Sequence, residues 1–115
     1  MNDYRIGFVG GGNMARSLIG GLTSGGVAAA RISVHDPDHG KSAELAGRFG
    51  VAVEPGNAAL LQHVEVVVLA VKPQALRAVA GELRQALPEQ PPLLISIAAG
   101  VREASLARWL GRPLA

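Results

Sequence analysis

Apolar runs of strand length alternate with stretches of helical spacing along the whole chain. The first run, Arg5-Ile6-Gly7-Phe8-Val9, leads into a glycine-rich turn and then a predicted helix from Asn13 to Thr23. Leu18, Ile19 and Leu22 recur there at helical spacing, and Ser24-Gly25-Gly26 ends the element. A second strand, Arg31–His35, stops at Asp36-Pro37-Asp38, and Asp38 can cap a helix running from about Lys41 to Phe49. Gly50 closes that helix and Val51-Ala52-Val53 makes a short third strand. Asn57 is expected to cap a brief helix through His63 with its side-chain oxygen.

Glu65–Val71 is almost continuously apolar, as expected of a strand buried on both faces of a parallel sheet. Pro73 suits the first position of the next helix, where its missing N–H costs nothing. Leu76, Val79, Ala80, Leu83 and Leu87 form the apolar stripe of that helix. A proline-rich return leads to a fifth strand, Leu93–Ile97, and Glu103–Leu110 reads as a last helix. Strands alternating with helices predict an α/β fold: a doubly wound, mostly parallel sheet of about five strands with helices on both faces.

Composition narrows the class. Apolar residues are 49% of the 115, ample for one packed domain, and the aromatics are confined to Tyr4, Phe8, Phe49 and Trp109, so the core is aliphatic. Cysteine is absent, which removes disulfides and thiolate metal sites and fits a reducing cytoplasm. His35, His39 and His63 have no ligand spacing, so no metal is expected. The first residues lack a signal-peptide pattern, and no apolar run has the length to span a bilayer. Basic residues are scattered, at a net charge of only +2, which argues against a nucleic-acid surface.

The turn after the first strand carries the chemistry. Gly10-Gly11-Gly12-Asn13-Met14-Ala15 fits G-x-G-x-x-A, the alanine-ended dinucleotide fingerprint. Gly10 lets the chain turn sharply. Gly12 allows a pyrophosphate to approach the backbone, and Ala15 lets the helix pack close to the strand. The free amides at the helix N-terminus then face the phosphates. A strand before, a helix after and a βαβ unit around the motif make this a Rossmann-type reading. Gly11 stands at an unconstrained place in the motif, and Gly7 is read as a close-packing position.

Asp36 ends the second strand a little beyond the usual distance of about 20 residues from the fingerprint. It either accepts hydrogen bonds from an adenosine ribose, which favours NAD, or belongs only to the Asp-Pro-Asp turn. His35 and Lys41 are the candidates to approach a 2′-phosphate. NAD and NADP both stay open at this point.

Three more segments add a resemblance. Ala70-Val71-Lys72-Pro73, the Asn57 turn and Ser96-Ile97-Ala98-Ala99-Gly100, taken with Ile6–Ala15, resemble pyrroline-5-carboxylate reductase over nearly the whole chain. The resemblance implies an oxidoreductase of proline biosynthesis, passing a hydride from NADPH or NADH to the C=N bond of 1-pyrroline-5-carboxylate. It slightly favours NADP. It also implies that Gly10, Gly12, Asn13, Met14 and Ala15 hold the pyrophosphate and that Asn57 lies near the adenosine ribose. Ala70, Val71, Lys72, Pro73, Ala98, Ala99 and Gly100 would frame the nicotinamide side. No side chain of the chain is expected to be catalytic, since the cofactor carries the chemistry.

Proteins of that family are more than twice this long. Residues 1–115 are therefore expected to be the NAD(P)-binding N-terminal portion, inactive alone, without the helical domain that supplies dimerisation and most of the substrate pocket. The whole enzyme is expected to be a cytoplasmic homo-oligomer. A β-hydroxyacid or prephenate type of dehydrogenase, or a non-catalytic nucleotide-binding module, are the competing readings.

Overall fold

A computed structural model describes residues 4–97 and 103–111. Five strands form one parallel sheet: β1 (Ile6–Val9), β2 (Ile32–His35), β3 (Ala52–Val53), β4 (Val66–Leu69) and β5 (Leu93–Ser96), in the order β3-β2-β1-β4-β5. The connecting helices are α1 (Asn13–Ser24), α2 (His39–Phe49), α3 (Asn57–Leu61) and α4 (Pro73–Ala86), and α5 (Glu103–Leu110) follows β5. The predicted α/β class and all five predicted strands are present.

Strict alternation along β1 sorts the core into two halves. Ile6 and Phe8 point to one face, where Ala15 and Ile19 of α1 and Leu45 of α2 meet them. Val9 points to the other, together with Val67 and Leu69 of β4, and these pack on Leu60, Leu76 and Leu83 of α3 and α4. β4 is buried along its whole length, because β1 and β5 flank it and helices cover both faces. β5 pairs only with β4 among the described residues, and Leu93 is correspondingly 50% exposed.

Gly7 shows why a strand interior carries a glycine. A Cβ built there would lie 2.6 Å from Leu60 Cδ2 and 3.1 Å from Val64 Cγ1, so the missing side chain is what lets α3 lie against the sheet. Gly7→Ala should therefore cost about 1–3 kcal/mol, the usual range for overpacking, since the leucine tip can yield but its neighbours cannot. Urea unfolding monitored by circular dichroism measures this.

Local signals set most helix ends. Asp38 caps α2 as expected, its side chain accepting from the Gly40 N–H at 2.9 Å, so the helix begins at His39 and not at Lys41. Gly50 takes φ 78° at the C-terminus. Pro73 opens α4. Asn57 departs from expectation: Gly56 is the N-cap of α3, and Asn57 is its first helical residue with no capping bond. The extended backbone of Gly56 puts the turn one residue earlier, and Leu60 N–H bonds to the Gly56 carbonyl at 3.1 Å. Of the apolar residues at helical spacing on α1, Leu18 is 39% exposed, whereas Ile19 is fully buried.

Candidate functional site

From β1 the chain moves outward through β2 to β3, then returns across the sheet to β4 on the opposite flank of β1. The strand order thus reverses beside β1, and the crevice beyond the carboxyl ends of β1, β2 and β4 is where open α/β sheets bind ligands. The glycine turn lies at this point.

Gly10 is buried and has φ 105°, a conformation that L side chains rarely adopt. Its N–H donates to the His35 carbonyl at 2.9 Å, and a Cβ there would lie 2.5 Å from the Ala70 carbonyl oxygen. The turn is thus clamped between the ends of β2 and β4. Gly11 is also constrained, contrary to its free place in the motif. Its N–H donates to Asp36 Oδ2 at 2.7 Å, and a Cβ would press on Asp36 Cβ at 3.3 Å.

Gly12 is different. Its backbone is extended, at φ −81° and ψ −160°, and a Cβ there meets nothing within 4 Å among the described residues. Neither conformation nor packing among the described residues calls for glycine at this place. The open space lies over the start of α1, where Gly12 is the N-cap with no side-chain bond and no acidic residue stands in the first turn. A helix start with unmet amides and a positive dipole end, facing open space that a glycine keeps clear, has the properties of a phosphate cradle. Ala15, fully buried, lets α1 descend onto the sheet directly behind it. Asn13 and Met14 are exposed on the first turn.

A cleft of about 340 Å³ opens beside this cradle. Gly10 and Gly12 form its floor, Asp36, Pro37 and Lys41 one wall, and Ala70, Val71 and Lys72 the facing wall, which Gln74, Ala75 and Val79 of α4 extend. Ala70–Pro73 was expected to frame the nicotinamide side of the cleft. The structure sets Ala70, Val71 and Lys72 opposite Asp36, because β2 and β4 flank β1 and their end turns overhang the same glycines. Pro73 contributes by starting α4, and Lys72 is the exposed N-cap of that helix. A smaller hollow of about 160 Å³ adjoins Gly12 and is lined by Arg16, Lys41 and Glu44; Arg16 and Glu44 pair across it at 3.3 Å.

Other candidates sit elsewhere. Asn57 is 5% exposed and does not line this cleft. Its Nδ2 donates to Glu82 Oε1 of α4 at 3.3 Å, while its Oδ1 is buried without a partner. His35 turns away too, its Nδ1–H donating to the Glu54 carbonyl at 3.1 Å, which leaves Lys41 as the residue that faces the cleft. Ala98, Ala99 and Gly100 lie outside the described residues. The Gly11–Asp36 bond and the Gln74–Val79 wall went unread in the sequence. The first had a signal in the Asp36-Pro37 turn; the second depends on strand order.

Comparison with known proteins gives the same picture. Residues 5–100 match the family model described as NADP oxidoreductase, coenzyme F420-dependent. The chain belongs to this family. Within it, the chain is 52% identical over 114 residues to the pyrroline-5-carboxylate reductase of Pseudomonas aeruginosa, covering 98% of this chain and 41% of that protein. It is 38% identical over 110 residues to the Escherichia coli pyrroline-5-carboxylate reductase, covering 95% of this chain and 40% of the relative. The solved structure of a pyrroline-5-carboxylate reductase from Coxiella burnetii superposes with a TM-score of 0.87 at 38% identity, over 94% of this chain and 40% of that one. The resemblance read from the motifs therefore holds, and the chain spans about two fifths of the length of these relatives. No helix among the described residues is long and apolar enough to cross a membrane.

Proposed function

We propose that this chain is the cofactor-binding part of a pyrroline-5-carboxylate reductase, and that the whole protein reduces the C=N bond of 1-pyrroline-5-carboxylate to give L-proline. The observation that carries this reading is the open face of Gly12 at the start of α1. It comes with sequence identity of 52% to a pyrroline-5-carboxylate reductase across nearly all of the chain. The residues present fit a nicotinamide dinucleotide, which when bound supplies the hydride.

The chain's own part is binding and orientation. The backbone amides from Gly12 through Met14 hold the pyrophosphate, and Ala15 keeps the helix close enough for them to reach it. The walls at Asp36-Pro37 and Ala70-Val71-Lys72 grip the adenosine half. This arrangement sets the direction in which the nicotinamide end emerges; in the whole protein, residues outside this chain supply the imine pocket and the contacts between subunits.

A chimera tests the reading. The matching two fifths of the Pseudomonas aeruginosa relative is replaced by this chain, and oxidation of NADPH and NADH is followed with 1-pyrroline-5-carboxylate. Substrate-dependent oxidation within about tenfold of the parent enzyme is expected, because the interchange preserves the cradle. A chimera that folds and binds cofactor but ignores this imine would overturn the proposed substrate.

A further inference from the structure

One charged group in the cleft is fixed in place. Asp36 Oδ2 accepts from the Gly11 N–H at 2.7 Å, and Oδ1 accepts from the Asp38 N–H at 2.8 Å. The carboxylate is thus gripped by the glycine loop on one side and by its own turn on the other. It cannot swing into solvent without abandoning both donors. Lys41 and Lys72 line the same cleft, but neither forms an ion pair with it.

We infer that Asp36 selects the cofactor by charge at the adenosine ribose, so that this chain takes NADH in preference to NADPH. The inference rests on reading the cleft as a dinucleotide site, and it runs opposite to the NADP named in the family's description. Each carboxylate oxygen keeps lone pairs beyond the one already engaged, so ribose hydroxyls can still donate to it. A 2′-phosphate is mostly dianionic at neutral pH, so it seldom has a proton to give, and it brings about two negative charges against a carboxylate held still. Like charges a few ångströms apart near a protein surface repel strongly enough to outweigh Lys41 and Lys72, two solvated ammonium groups on long stems that no bond among the described residues fixes beside the ribose. A preference of about tenfold or more is expected on that scale.

The test is an equilibrium titration of the purified chain with NADH and with NADPH, followed by nicotinamide fluorescence, on wild type, Asp36→Asn and Lys41→Ala. Wild type should bind NADH about tenfold more tightly or better. Asp36→Asn should tighten NADPH by about tenfold while NADH changes severalfold at most, and Lys41→Ala should weaken NADPH alone. The ratio of the two affinities within one variant is the readout, because a loosened glycine loop would weaken both cofactors together. The wild-type preference should also shrink as salt rises. NADPH binding as tightly as NADH in wild type, or an unchanged ratio in Asp36→Asn, overturns the inference and leaves the dinucleotide site standing. Failure of both cofactors to bind at millimolar concentration overturns the site itself and the inference with it.

Discussion

Gly10→Ala should melt about 10–25 °C below wild type, by differential scanning calorimetry, if it folds at all. Two costs combine. The backbone at Gly10 has φ 105°, where a side chain of L configuration clashes with its own carbonyl, at about 1–2 kcal/mol. The added Cβ would also lie 2.5 Å from the Ala70 carbonyl oxygen and 2.9 Å from its carbon. These are backbone atoms and cannot turn aside as a side chain would. Ala70 is anchored by its N–H to the Val9 carbonyl at 2.8 Å, and Gly10 by its own N–H to His35. Relief would mean prising β4 or β2 from β1 at their carboxyl ends, which adds about 1–3 kcal/mol. The total of about 2–5 kcal/mol is a large part of a small domain's stability. A melting temperature within a degree or two of wild type would mean that the turn is not clamped in this way.

The features that were legible in the sequence are those written locally. The unbroken Val66–Leu69 run announces a central parallel strand, and Asp38 and Gly50 bracket α2 with opposite cap chemistries. Gly7 and Gly10 each stand where a side chain has no room, and their places in the strand and the turn were enough to find them. Reading failed where one turn meets another. The apolar run reads as strand through Val71, yet β4 pairs in register with β1 only as far as Leu69, and how Ala70 and Val71 then face Asp36 across the glycine turn depends on strand order. Asn57 has the right side chain to cap α3, but the extended Gly56 before it already serves, and the freed amide turns to Glu82. Gly11 looks dispensable in a motif that leaves its place open. It becomes constrained only when β2, running alongside β1, brings Asp36 beneath it. Each miss is a contact between segments that are distant in sequence, where periodicity carries no information.

Gly12→Val separates the cradle from the fold. Its backbone is already extended, a conformation that a β-branched residue adopts readily, and open space surrounds the new side chain. Removing a glycine N-cap in favour of an apolar residue costs on the order of 1 kcal/mol or less, so the variant should fold and melt within several degrees of wild type. Binding should respond very differently. The two methyl groups would fill the space directly over the first turn of α1, and a phosphate could no longer reach the backbone amides there. Loss of those charge-assisted bonds, at about 1.5–3 kcal/mol each, should weaken NADH and NADPH alike by a hundredfold or more. Since both cofactors share the pyrophosphate, the ratio between them should not change, in contrast to Asp36→Asn. Gly10 and Gly12 stand two residues apart in one motif, yet substitution is expected to damage the folded chain at the first and only the ligand at the second. If Gly12→Val bound either cofactor as wild type does, the open face above α1 would not be the phosphate site, and the dinucleotide reading would lose its central observation.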